Sequence, residues 1–92
     1  MEKSEISQHE VSVYRQLLER PEQWMTAKEI AEAAQVAPRT ARAHCLKLVR
    51  LGVLDQAELF PQHRYRLSKL AAKRNVAYLQ RLKFAAEVFG GK

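Results

Sequence analysis

Arg39, Thr40, Arg42 and Ala43 stand together in the stretch PRTARAHCLKLVRLG, which begins at Pro38 and ends at Gly52. Guanidinium groups at this spacing offer forked donors that match a guanine edge or a phosphate. A hydroxyl serves either target, and an alanine can meet a thymine methyl. Lys47 extends the basic run, and two flanking segments add to it: Thr26 and Lys28 open TAKEIAEAA, and His63, Arg64 and Arg66 fall in HRYRLS. The chemistry on offer is anion and base-edge recognition.

Other chemistries lack their parts. Asp55 is the only aspartate, no glycine-rich phosphate loop occurs, and no nucleophile has an evident base, so no enzyme is expected. His9, His44 and His63 are scattered without paired ligands at metal spacing, and neither metal nor cofactor is expected. Cys45 is the single cysteine, so an intramolecular disulfide is excluded. Oxidation there would push on its helix, but its place on an inner face suits a small core residue better.

The elements that would position these residues are marked by their caps. Thr26 and Glu29 have the spacing of a capping box, with Met25 and Ile30 as the hydrophobic staple. Ala27, Ile30, Ala31 and Ala34 form the apolar stripe of that first helix, and Gln35-Val36-Ala37 is the turn after it. Pro38 suits the first turn of a second helix running to about Leu51, where Gly52 supplies a left-handed stop. Ala41, Cys45 and Leu48 face inward on it. A short supporting helix, a tight turn and a basic helix make a helix-turn-helix. Beyond Gly52, Val53 to Leu59 reads as a strand, Phe60-Pro61-Gln62 as a turn and His63 to Leu67 as the returning strand. Tyr65 and Leu67 share one face of that strand, Arg64 and Arg66 the other.

The segments LVRLGVL and HRYRLS, in this order after a basic helix, resemble the winged helix-turn-helix domains of small bacterial transcription regulators, the MarR-like and ArsR-like repressors. The resemblance covers about Ser7 to Leu67. It implies a mainly α fold with a small β-hairpin wing (α+β) and a recognition helix, 38–51, in the major groove of double-stranded DNA. Arg39, Thr40, Arg42, Ala43 and Lys47 would enter the groove, Thr26 and Lys28 would touch phosphates, and His63, Arg64 and Arg66 of the wing, 53–67, would reach the flanking backbone. Two positions depart from the pattern. Ala37 stands where a Ser or Thr cap is common, a loss of about 1 kcal/mol of helix stability. Ala43 stands where a longer base-reading side chain is often found.

The 92 residues suit one domain with a modest core, 47% of them hydrophobic. The net charge of +6 is segregated: residues 1–32 carry four Lys/Arg against seven Glu, residues 33–92 twelve against three acidic groups. A field of that sign over the second helix, wing and last helix is what phosphate binding needs. No run approaches the ~18 apolar residues of a membrane span, and no signal-peptide pattern opens the chain. A cytoplasmic location without membrane contact is therefore expected.

At the two ends, Ser7 and Glu10 have the spacing of another capping box. It opens a helix with Val11, Tyr14, Leu17 and Leu18 on one face. Residues 1–6 are expected to be disordered, 7–67 to form the winged domain, 68–89 one long helix capped by Ser68, and 90–92 a loose tail. Trp24 is expected to anchor the core. Tyr78, Leu79, Leu82, Ala85, Ala86 and Phe89 give the last helix an apolar zone wider than one small core needs, and a homodimer seam is expected there. The reading is a homodimeric prokaryotic transcription regulator with no small-molecule effector evident. The alternatives are a winged-helix protein-interaction module, or a plasmid or phage replication or partition protein that also binds DNA.

Overall fold

A computed structural model describes residues 6–59 and 62–90; the expected disordered start, the tip of the wing and the last two residues lie outside it, apart from Ile6 and Gln62. Helix α1 spans Gln8–Glu19, strand β1 Met25–Thr26, α2 Ala27–Ala34 and α3 Pro38–Arg50. Strands β2 (Leu54–Leu59) and β3 (Gln62–Leu67) follow, then α4 (Ala71–Arg74) and α5 (Val76–Gly90). The strands form an antiparallel sheet in the order β1-β3-β2, with Met25 opposite Tyr65 and Leu54 opposite Leu67. This is a winged helix-turn-helix, mainly helical with a small sheet.

The local chemistry explains the boundaries. In α2 both halves of the capping box form: Thr26 Oγ1 accepts from Glu29 N at 3.1 Å and Glu29 Oε1 from Thr26 N at 3.0 Å. Helices α2 and α3 then end by the same device. Val36 N donates back to Ala31 O around Gln35 at φ 59°, and Val53 N to Leu48 O around Gly52 at φ 83°. Helix α3 starts on Pro38, and Ala37 makes no side-chain cap, as its methyl requires.

Tyr14, Leu17, Ile30, Leu48, Leu54, Tyr65 and Leu82 are fully buried and join α1, α2, α3, the sheet and α5 around one core. On α1, Val11, Val13, Tyr14 and Leu17 are buried, whereas Leu18, assigned to the same face, is exposed.

The terminal helix differs from expectation. Instead of one rod from Lys69 to Phe89, the chain makes a single turn, breaks at Asn75 and starts again. Ser68 Oγ accepts from Leu70 N, and Asn75 Oδ1 accepts from Tyr78 N at 3.3 Å, so Asn75 caps a new helix rather than extending the old one.

Candidate nucleic-acid interface

Ala41, Cys45 and Leu48 seat α3 on the core, each with no exposed surface. The seating leaves Arg39, Arg42, Ala43 and Arg50 exposed and Thr40 half-buried, so the first two turns of α3 present polar and small side chains outward. Cys45 is packed too deeply to ionise readily: burial pushes its thiol up to about 12.

Beside those turns lies a cleft of about 220 Å³ lined by Thr26, Ala27, Lys28, Arg42, His63 and Tyr65. Three elements meet there: the start of α2, the middle of α3 and the first half of β3. Lys28, Arg42 and His63 bring cationic or protonatable groups to it, and the N-terminal dipole of α2 adds its positive end. Arg42 lines the cleft beside Tyr65, whose ionisation is disfavoured mainly by burial and is partly eased by that guanidinium. His63 Nδ1 lies 2.9 Å from Gln56 Nε2. An amide N–H can only donate, so Nδ1 accepts and the neutral ring carries its proton on Nε2. The arrangement can hold an anion without any catalytic group.

Of the residues named from the sequence, the fold gathers Thr26, Lys28, Arg42 and His63 around this cleft, with Arg39, Thr40 and Ala43 on the adjoining turns. Arg64 and Arg66 alternate with His63 and Tyr65 along β3 and belong to the sheet's other face. Arg66 lies 4.2 Å above the Trp24 ring. Trp24 is therefore a half-buried platform for Arg66 and stands outside the core it was expected to anchor. Lys47 is directed away from the groove side: its Nζ lies 2.9 Å from Glu10 Oε1 on α1.

The expected dimer seam needs the largest correction. Tyr78, Leu79 and Leu82 are at most 6% exposed and pack into the chain's own core, and Ala86 packs against it. They cannot also line a seam. Among the described residues, Val76, Phe84 and Val88 are the large apolar side chains that α5 leaves exposed, Phe84 at 68%. Ala85 is half-buried, and the Phe89 side chain lies outside the described set. Among the described residues no group of His, Cys, Asp or Glu is arranged to hold a metal. None of the described helices is long and apolar enough to cross a membrane.

Sequence reasoning missed Tyr65 in the lining of the cleft, and Gln56, which bonds to His63 from β2. The sequence sets Tyr65 on the face opposite Arg64 and Arg66, but its place beside Arg42 depends on how α3 sits on the sheet. Gln56 carries no sequence signal, being one polar residue in an alternating strand.

No protein-family model and no curated protein matches the chain. Solved structures do. The ST1889 protein from the thermoacidophilic archaeon Sulfolobus tokodaii superposes with a TM-score of 0.66 at 20% identity, over 89% of this chain and 81% of that one. MepR, a transcription regulator of the Staphylococcus aureus multidrug efflux pump MepA, gives 0.63 at 15% identity, over 91% of this chain and 63% of MepR. A MarR family protein from Bacillus stearothermophilus gives 0.59 at 18% identity, over 96% of this chain and 62% of that protein. The chain thus spans under two thirds of the latter two, and at these identities the likeness is one of fold: this chain has the winged helix fold seen in MarR-type regulators.

Proposed function

We propose that the chain binds double-stranded DNA sequence-specifically, as a prokaryotic transcription regulator acting in the cytoplasm. The observation that carries this reading is the convergence of Lys28, Arg42 and His63 from three elements on one cleft beside the exposed start of α3. Arg39, Thr40, Arg42 and Ala43 would meet base edges in the major groove, while Thr26, Lys28 and His63 would hold phosphate. Arg64 would reach the flanking backbone from the wing's other face. Lys47 is left out of this set because its ammonium is engaged with Glu10, and Arg66 because it is stacked on Trp24. The description of MepR as a transcription regulator supports the same reading.

A homodimer would place two such units on one site. The support is the exposed apolar side chains Val76, Phe84 and Val88, which lie within about a third of the circumference of α5.

Selection of bound sequences from a random duplex pool, followed by a salt titration of the winner, tests the reading. The expected result is an inverted repeat with half-sites about one helical turn apart and an affinity that falls steeply with salt. Failure to enrich any sequence, with affinity indifferent to salt, would overturn it.

A further inference from the structure

Glu10 stands where a capping-box glutamate would stand, and Ser7 does accept its backbone N–H at 3.1 Å. Its carboxylate does something else. The residue is 1% exposed, and Oε1 accepts from Lys47 Nζ at 2.9 Å while Oε2 accepts from the Tyr78 hydroxyl. These partners lie 37 and 68 positions away along the chain, one on α3 and one on α5. Lys47 Nζ also stands 5.5 Å from the centre of the Tyr78 ring, so the three side chains touch one another. Burial and the bond to Glu10 both push the Tyr78 hydroxyl up, which keeps it a donor. His44, one turn before Lys47, feels the same carboxylate: burial lowers its protonation, Glu10 opposes that, and Lys47 and His9 add to it.

An ionic cluster is not the cheapest way to fill such a place. A buried ion pair commonly does no better than well-packed apolar side chains of the same volume, and it becomes costly once one partner is lost. What it offers is direction. Of the three side chains that seat α3, Ala41 and Cys45, on the side of the first turns, are small and resist rotation of a helix weakly, and Leu48 is the one large anchor. The two hydrogen bonds accepted by Glu10, one from Lys47 and one from Tyr78, tether α3 to α1 and α5 at a defined point and so favour one rotational setting. Lys47 lies eight residues from Arg39, about 12 Å along the helix, so a turn of α3 at Lys47 carries Arg39, Arg42 and Ala43 with it.

We propose that Glu10 is a positioning residue for the recognition helix: by holding Lys47 of α3 and Tyr78 of α5 at once, it sets the rotation of α3 and ties it to the docking of α5. The proposal rests on the DNA-binding reading only for its consequence, since the setting of α3 exists without DNA. It makes the groove-facing residues sensitive to a side chain on α5 that would not touch DNA itself.

Tyr78→Phe, which removes one hydroxyl and keeps the ring, is the decisive variant, with Glu10→Gln beside it. In the DNA-free protein, Tyr78→Phe should shift the backbone amide resonances of Arg39 to Ala43, beyond the neighbourhood of Tyr78. With the selected duplex, the ratio of specific to non-specific affinity should fall about tenfold, alongside a lowered melting temperature, because the buried Glu10 carboxylate loses a donor. A double replacement, Glu10→Met with Lys47→Met, should restore stability without restoring that ratio. Amide changes confined to residues around Tyr78, or an unchanged ratio in a folded Tyr78→Phe protein, would overturn the proposal. Amide shifts reaching Arg39 in a protein that prefers no duplex would support the positioning and refute the DNA reading instead.

Discussion

A Cβ added to Gly52 would stand 2.8 Å from Cβ of Arg74, so the end of α3 and the turn of α4 are in backbone-level contact. Gly52 also has φ 83°, a conformation costly for any side chain. The atom met is Cβ of Arg74, which the backbone of α4 fixes, so rotation of the Arg74 side chain, paired with Asp55 at 3.2 Å, cannot clear it. Gly52→Ala should therefore cost about 1–3 kcal/mol, read as a lower midpoint in urea unfolding. An unchanged midpoint would mean that α4 moves away freely.

Gln35 performs the same task at the end of α2 with a side chain attached, at φ 59° and exposed. Gln35→Gly should relieve that strain and, after the entropy gained by the unfolded chain, stabilise the fold by about 0.5–1 kcal/mol. Urea unfolding of the two glycine-site variants should move the midpoint in opposite directions.

The Tyr14 hydroxyl is buried without a hydrogen-bond partner among the described residues. Burial alone raises its ionisation point. Tyr14→Phe removes an unsatisfied polar group and should be neutral or stabilising by up to about 1 kcal/mol. A clear loss of stability on calorimetry would show that the hydroxyl is bonded in solution.

Arg42 and Lys28 should be separable by salt. Arg42→Ala should weaken the selected duplex by about 1–3 kcal/mol and relax its sequence preference. Lys28→Ala should weaken all duplexes alike and lower the salt slope by about one unit. Equal affinity of both variants and the parent would remove this surface from the interface.

Phe84 and Val88 are exposed, so Phe84→Glu with Val88→Glu should leave the domain folded. The pair should shift the protein to a monomer in sedimentation, because charge in a dimer seam would lie buried and unpaired. A wild type that already sediments as a monomer at micromolar concentration would refute the seam.

Features decided within a few residues were legible in the sequence. The Thr26–Glu29 box, Pro38 at the start of α3, the stop at Gly52 and the facing of Tyr65 all depend on neighbours in the chain. What escaped depends on distant elements. Glu10 satisfied a local capping pattern, yet it also shares a helical face with Val13, Tyr14 and Leu17, and only the arrival of α3 and α5 gave its carboxylate partners. The apolar residues of α5 were visible, but periodicity alone does not say which line meets the chain's own core. Asn75 was hidden because one polar residue in an apolar run resembles a solvent-facing position until its side chain turns back to cap.

Thr26 is at once the last residue of β1, opposite Arg64, and the cap of α2. Strand pairing and helix initiation thus share one residue, with no spacer to let one persist without the other. If the outer strand peels from β3, the cap of α2 is disturbed in the same event. Local opening should therefore take the wing's edge and the supporting helix as a single cooperative unit, and fluctuations at one edge of the cleft should reach the helix that backs α3.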